Sequence, residues 1–406
     1  MGDAEIKFEK LSNGLQLIGE ILPQSQSAAV GFFVKTGSRD ESAAESGVSH
    51  FLEHMMFKGT ARRSALEVNF ELGNLGAQAN AFTSEENTVY YSALLPENFG
   101  AVQELLSDML RPSLDPQEFD TEKKVILEEI ALYQDRPQFY LFEHAHRDYF
   151  GEHSAGNSVL GSTETISALT NRMMRDYFER RYAPNNIVLV ASGKFEWERF
   201  VRDADKFCGG WKPHLAQREH EGFAGRAIQK EYRKKDLAQA HLVLLGPGVS
   251  AQSEDRFAIS VLAHIIGDST GSKLYWELIR PGLAESAGAD NDERDGLGVF
   301  MAYASTEFEK IEEVSAILKR VLNSARDFSD DELERAKVKL ACKVVLNGEL
   351  PMGRLMSIGM EWNFRQAVQP LSEVIARINS VTRAEIESVL AGCDFSKFSE
   401  FRLIPQ

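Results

Sequence analysis

Apolar and polar residues alternate over residues 14–22 and again over 28–35, the period of a strand with one buried face. The turn-forming run Pro23-Gln-Ser-Gln-Ser27 between them predicts a hairpin-like pair. The period then changes. Within residues 46–58, Val48, Phe51, Leu52, Met55 and Met56 recur at helical intervals, and Gly59 predicts the end of that helix. A second helix is predicted near 65–72, strands near 78–83 and 88–95, and helices over about 98–109 and 116–133. A helix near 171–182 leads into the short apolar strand Asn186-Ile-Val-Leu-Val-Ala-Ser192.

The pattern lapses over residues 213–226, which are rich in Pro, His, Gly and charge without an apolar period. They are expected to link an N-terminal domain, 1–212, to a C-terminal one, 227–406. A chain of 406 residues suits two domains of roughly 200 each. The second half also echoes the first. Ile166-Ser-Ala-Leu-Thr170 parallels Ile378-Asn-Ser-Val-Thr382, and Phe51-Leu-Glu-His-Met-Met-Phe-Lys-Gly59 parallels Val261-Leu-Ala-His-Ile-Ile-Gly267. In the second copy Ser260 and Ala263 stand where His50 and Glu53 stand in the first, so any metal chemistry belongs to the first half.

Composition narrows the classes. Hydrophobic residues make up 43% and charged residues 26%, and no run approaches the ~18 apolar residues of a membrane helix. A membrane-spanning chain is not expected. The first ten residues carry neither a secretory h-region nor an Arg-rich presequence, so the expected location is cytoplasmic. A formal charge of −16 disfavours nucleic acid as a partner, because phosphate binding needs clustered Lys and Arg. Cys208, Cys342 and Cys393 are odd in number and far apart, which predicts buried thiols rather than a disulfide framework or a cysteine metal site.

The candidate chemistry lies at His50-Phe-Leu-Glu-His54. Residues four apart on a helix lie one above the other, so both imidazoles can reach one ion. Glu53 falls beside that ion, where a general base for an attacking water belongs. A catalytic zinc takes three protein ligands and leaves a position open, so a third must come from elsewhere. In the helix ending near Tyr133, Glu122 and Glu129 share a face while Glu128 points about 100° away. Glu129 is the expected ligand, Glu122 its supporting or catalytic companion, and Glu128 the alternative. His144, His146 and His153 also cluster and are expected to be surface polar residues.

His-x-x-Glu-His is an inverted zinc-peptidase signature. The run Gly47-Val-Ser-His-Phe-Leu-Glu-His-Met-Met-Phe-Lys-Gly-Thr60 resembles the pitrilysin/insulinase family, in the branch of the mitochondrial processing peptidase and its bacterial relatives. Gly76-Ala-Gln-Ala-Asn-Ala-Phe-Thr83, Glu86-Asn-Thr-Val-Tyr-Tyr91, Glu122-Lys-Lys-Val-Ile-Leu-Glu-Glu129 and Tyr182-Ala-Pro-Asn-Asn186 extend the likeness through most of the first half. The resemblance implies an α+β fold of two tandem, duplicated domains, each an antiparallel sheet covered by helices. It implies one zinc per chain on His50, His54 and Glu129, and endopeptidase action on short or unfolded polypeptides. Asn80, Ala81, Phe82 and Thr83 would lie on an edge strand that pairs with the extended substrate.

One departure stands out. Where relatives carry an Arg and, seven residues on, a Tyr that grip the substrate, this chain has Leu278-Ile-Arg-Pro-Gly-Leu-Ala-Glu285. A carboxylate cannot donate to an oxyanion, which points to a second homologous subunit supplying the Arg and Tyr, or to a homodimer with other donors. The competing expectation is a non-catalytic scaffold or assembly subunit.

Overall fold

The computed structural model describes residues 5–216, 218, 222–395 and 397–406. Its strands are β1 (Glu5–Lys10), β2 (Gln16–Ile21), β3 (Ala28–Val34), β4 (Gln78–Thr83), β5 (Thr88–Leu94) and β6 (Ile187–Gly193) in the first sheet. The second sheet holds β7 (Gln229–Lys234), β8 (Ala240–Pro247), β9 (Ser286–Glu293), β10 (Gly298–Thr306) and β11 (Ser399–Pro405). The orders are β1-β2-β6-β3-β5-β4 and β7-β11-β8-β10-β9. Both sheets carry helices, as the α+β expectation requires.

Two details differ from the sequence reading. β2 and β3 form no hairpin, because β6 inserts between them, parallel to β2 and antiparallel to β3. β3 and β6 are buried at every residue, which suits neighbouring central strands and leaves β2 to pair outward with β1. Neither sheet is wholly antiparallel either: β2–β6 and β7–β11 are parallel pairs. β1, missed in the sequence, is short, charged and exposed, the profile of an edge strand.

The chain divides into two compact units, with one boundary at 219/220 inside the expected linker 213–226 and two further segments exchanged between the halves. One comprises Met1–Ala131, Asn157–Glu219 and Leu346–Pro370, the other Leu132–Gly156, His220–Val345 and Leu371–Gln406. Each half of the sequence therefore gives a helix to the other. Helix Pro351–Arg365 packs on β3 and β6, where Leu355 and Ile358 join Ile18, Ala29, Phe33, Val188 and Val190 in one core. Two such side chains contribute about 1.5–3 kcal/mol each by leaving water. Gly359 permits the approach, since a Cβ there would meet the Phe33 ring at 2.3 Å. Arg354 closes a buried, two-pronged ion pair with Glu20 at 2.6 and 2.7 Å, and Asn363 donates to Asn87 at 2.8 Å. Reciprocally, helix Pro137–Phe150 packs on β8 and β11, with Leu141, Ala145 and Tyr149 against Val243, Leu245, Phe401 and Leu403. Each exchanged helix begins with Pro at its first position, where the missing N–H costs nothing.

Within the expected linker, residues 217 and 219–221 lie outside the described ones, as does the start of the chain, 1–4. The side chain of Arg218 is buried and bonded to Asp40 at 2.9 and 2.6 Å, so this part of the segment is fastened to its own unit. Cys208 and Cys393 are buried as expected, whereas Cys342 is exposed on helix Asp330–Gly348. No helix among the described residues is long and apolar enough to cross a membrane.

Candidate metal centre

Helix Val48–Met55 begins at Gly47, whose φ of +91° admits glycine alone without strain, and a Cβ there would meet the Leu160 carbonyl oxygen at 2.6 Å. Its first amides are held by a buried carboxyl: Gly47 N and Ser49 N each donate to Glu41 at 2.7 Å. The Ser49 and Tyr177 hydroxyls bond at 2.6 Å, and Tyr177 reaches Thr36 at 2.8 Å. The helix is thus fixed at its start before its first imidazole appears.

Burial pushes the Glu41 carboxyl up to about 7, against the opposing bonds from Ser49 and Gly47. Because this value lies above the ordinary 4.5, folding favours the protonated form, and the stability it brings is complete below 4.5 and lost as pH rises through 7. Glu41→Gln cannot ionise, so its stability should stay flatter while the wild type loses on the order of 3 kcal/mol between pH 5 and 8. Denaturant midpoints of both proteins at the two pH values measure this. Parallel profiles would show instead that the helix N-terminus keeps Glu41 charged throughout.

His50 and His54 project from one face of the helix with ring centroids 4.8 Å apart. Glu129, on helix Pro116–Gln134, reaches both: its Oε2 lies 3.8 Å from His50 Nε2 and 3.6 Å from His54 Nε2. Among the described residues these three form the one group of His, Cys, Asp and Glu whose ligand atoms all lie within 4.8 Å of one another. Glu128 is exposed, while Glu129 shares the inner face with buried Glu122.

Glu122 and His54 bond at 2.8 Å through His54 Nδ1, which as donor leaves Nε2 with its lone pair free. Lys58, one turn beyond His54, holds the other Glu122 oxygen at 2.6 Å. Although burial raises the Glu122 carboxyl, its bonds to His54 and Lys58 outweigh that and set it below the ordinary range. Burial pulls His54 down, yet Glu122, Glu129 and Glu53 together hold it above its usual value. His50 is pushed down to about 3 by burial and by His54, and is therefore neutral with a lone pair to give.

These observations fit a zinc ion. Ligand distances of about 2.0–2.2 Å in a tetrahedral set place ligand atoms roughly 3.5 Å apart, close to the separations found. The surroundings agree in charge, with three carboxylates about two imidazoles and Lys58 as the nearby cation. Among the described residues no hydrogen-bond partner reaches the buried His50 Nδ1.

Glu53 is buried on the same helix, and Thr83 donates to its Oε2 at 2.6 Å. Burial sets its carboxyl above the ordinary range, with the Thr83 bond and His54 opposing. Thr83 ends β4, the edge strand of its sheet, which packs against the metal helix. Gln78 and Asn80 on β4 are exposed, and Ala81, Phe82 and Thr83 are half-buried.

His144, His146 and His153 belong to no group of converging ligand atoms among the described residues. The first two give Nδ1 to the Tyr140 and Phe142 carbonyl oxygens at 2.9 and 2.8 Å, and Ala155 N donates to the third. They are half-buried among aromatic rings rather than surface polar groups. In the second half His264 bonds the Ser260 carbonyl oxygen, and Ala263 is buried. Glu285 is exposed, bonded to Gln239, and leads into β9, while Arg280 lies over Trp276 at 5.1 Å. Lys58 and the Thr83–Glu53 bond escape sequence reasoning. The i,i+4 spacing of His54 and Lys58 was the available signal for the first, and none existed for the second.

Comparison with known proteins adds a further layer. The description Insulinase (Peptidase family M16) matches residues 18–163, and Peptidase M16 inactive domain matches 168–340, the span that includes Ser260 and Ala263. An uncharacterized zinc protease of Streptomyces coelicolor is 32% identical over 402 residues, covering 96% of this chain and 87% of that protein. The crystal structure of a protease from Helicobacter pylori gives a TM-score of 0.90 at 21% identity over 99% of this chain and 100% of that one. A chain of complex III2 from Candida albicans, Inz-5 bound, gives 0.88 at 17% identity over 98% and 96%. At those identities the two structures speak for the fold alone.

Proposed function

The chain belongs to the insulinase family of peptidases, and on that footing we propose that it is a zinc-dependent endopeptidase acting on short or unfolded polypeptides. The convergence of His50, His54 and Glu129 on one point, with Glu53 beside it, carries this reading. A zinc ion held there would polarise the scissile carbonyl and make water more acidic. Glu53 would take the proton of the attacking water and pass it to the leaving amine. Glu122 and Lys58 would keep the His54 ring in the tautomer that presents Nε2. The free edge of β4 at Asn80, Ala81 and Phe82 would pair with an extended peptide backbone.

Purified protein should contain about one zinc per chain. Chelator titration should find Glu129→Gln far weaker in zinc than Glu128→Gln, because Glu129 alone of the two faces the imidazoles. The reverse ranking would overturn the ligand set.

Glu285 supports a further element of the proposal, a second homologous subunit that supplies an Arg and a Tyr. Adding that subunit should raise turnover strongly at constant zinc content, since Glu285 cannot donate to an oxyanion. Equal turnover per zinc with and without it would favour a self-sufficient homodimer. The scaffold reading draws on the same departure at Glu285 and predicts no peptidase activity in either preparation.

A further inference from the structure

Thr83 has a role that strand pairing does not require. A substrate laid along β4 would bond its backbone, leaving the side chains of that strand to act elsewhere. Thr83 shares one face of the strand with Ala79 and Ala81, all of them half-buried, while Gln78 and Asn80 on the other face are exposed. Its Oγ1 donates to Glu53 Oε2 at 2.6 Å, and among the described residues no other hydrogen bond reaches that carboxylate. The strand itself is pinned at this point. Thr83 and Phe82 are in register with Thr88 and Val89 of β5, and Phe82 meets the Tyr91 ring edge-on at 6.3 Å.

We propose that Thr83 is a positioning residue for Glu53, fixing one carboxylate oxygen so that the other faces the attacking water. This rests on the peptidase reading above. A glutamate side chain has three rotatable bonds, and on a helix its carboxylate sweeps an arc unless something anchors it. Thr83 supplies that anchor from the strand whose open edge would align the substrate. Base and peptide would then be referenced to the same few residues, so an error in one is not added to an error in the other. Productive general-base geometry tolerates displacements of well under an ångström, which is why the anchor bears on rate.

The test compares Thr83→Val and Thr83→Ser with wild type and with Glu53→Gln, on one unstructured peptide. Valine keeps the β-branch that suits a strand and removes only the donor, whereas serine keeps the donor. Thr83→Val should lower kcat roughly 10- to 100-fold with KM within about twofold, while zinc content and melting temperature hold and Thr83→Ser returns kcat to near the wild-type value. An unchanged kcat in Thr83→Val would overturn the proposal, as would a raised KM at constant kcat, which would make Thr83 a substrate contact. Failure of serine to restore kcat would also overturn it, assigning Thr83 to packing. The Glu53→Gln arm separates the two levels. If it is inactive while Thr83→Val is normal, only the positioning role falls; if it is fully active, Glu53 leaves the mechanism and the positioning role falls with it; and if the wild type itself cleaves no peptide, the peptidase reading falls.

Discussion

Glu53→Gln should retain its zinc and lose turnover by a factor on the order of 100 to 10,000, the usual contribution of a well-placed general base. The amide is nearly the same size and accepts the Thr83 hydrogen bond through its oxygen, so the local packing survives. What disappears is the lone pair that takes a proton. Burial already sets the Glu53 carboxyl above the ordinary carboxylate range, which brings its basicity closer to the need of neutral-pH chemistry. The converging group of His50, His54 and Glu129 does not include Glu53, so zinc stoichiometry by elemental analysis should match wild type. Loss of both zinc and activity would make Glu53 a ligand, and activity near wild type would remove it from the mechanism.

The second large effect is on stability. Glu20 and Arg354 are both buried, and their two parallel bonds join β2 to the exchanged helix Pro351–Arg365. Removing one partner strands the other charge in the interior, at a cost of about 3–5 kcal/mol. Glu20→Ala should therefore lower the melting temperature of this unit by roughly 6–20 °C, taking 2–4 °C per kcal/mol for ~200 residues. Proteolysis near residues 346–370 should quicken as that helix loosens. The double variant Glu20→Met, Arg354→Met should recover most of the loss, because an apolar pair of similar volume needs no charge compensation. A single variant as stable as wild type would mean that water reaches the guanidinium and the pair is solvated.

The cluster of His50, His54 and Glu129 was readable in the sequence because its information is local. His50, Glu53 and His54 lie within one turn and a half of helix, and the shared helical face set Glu122 and Glu129 apart from Glu128, with the family resemblance favouring Glu129 as the third candidate ligand. The structure brings Glu129 to both imidazoles and leaves Glu128 outside. Strand periods located β2 through β6 within a residue or two, but a period of two says which face is buried and not which strand lies alongside. Hence β6 between β2 and β3 came as a correction. The exchange of helices Pro137–Phe150 and Pro351–Arg365 was invisible for the same reason. Their apolar faces fit a sheet, and nothing in a local pattern states whose. Thr83 and Glu53 are 30 positions apart, and their bond depends on the register of an edge strand against a helix.

That exchange has a bearing on synthesis. Sheet strands β1 to β6 have all left the ribosome once residue 193 is out, but the helix that covers β3 and β6 ends at Arg365. At about 5–20 residues per second, the roughly 170 intervening residues take some 9–35 s to make. Through that interval Phe33, Val188 and Val190 lack their cover, and apolar surface of the first sheet stays open to water. A chain ending just short of residue 351 would carry His50, His54 and Glu129 without the helix that covers their sheet.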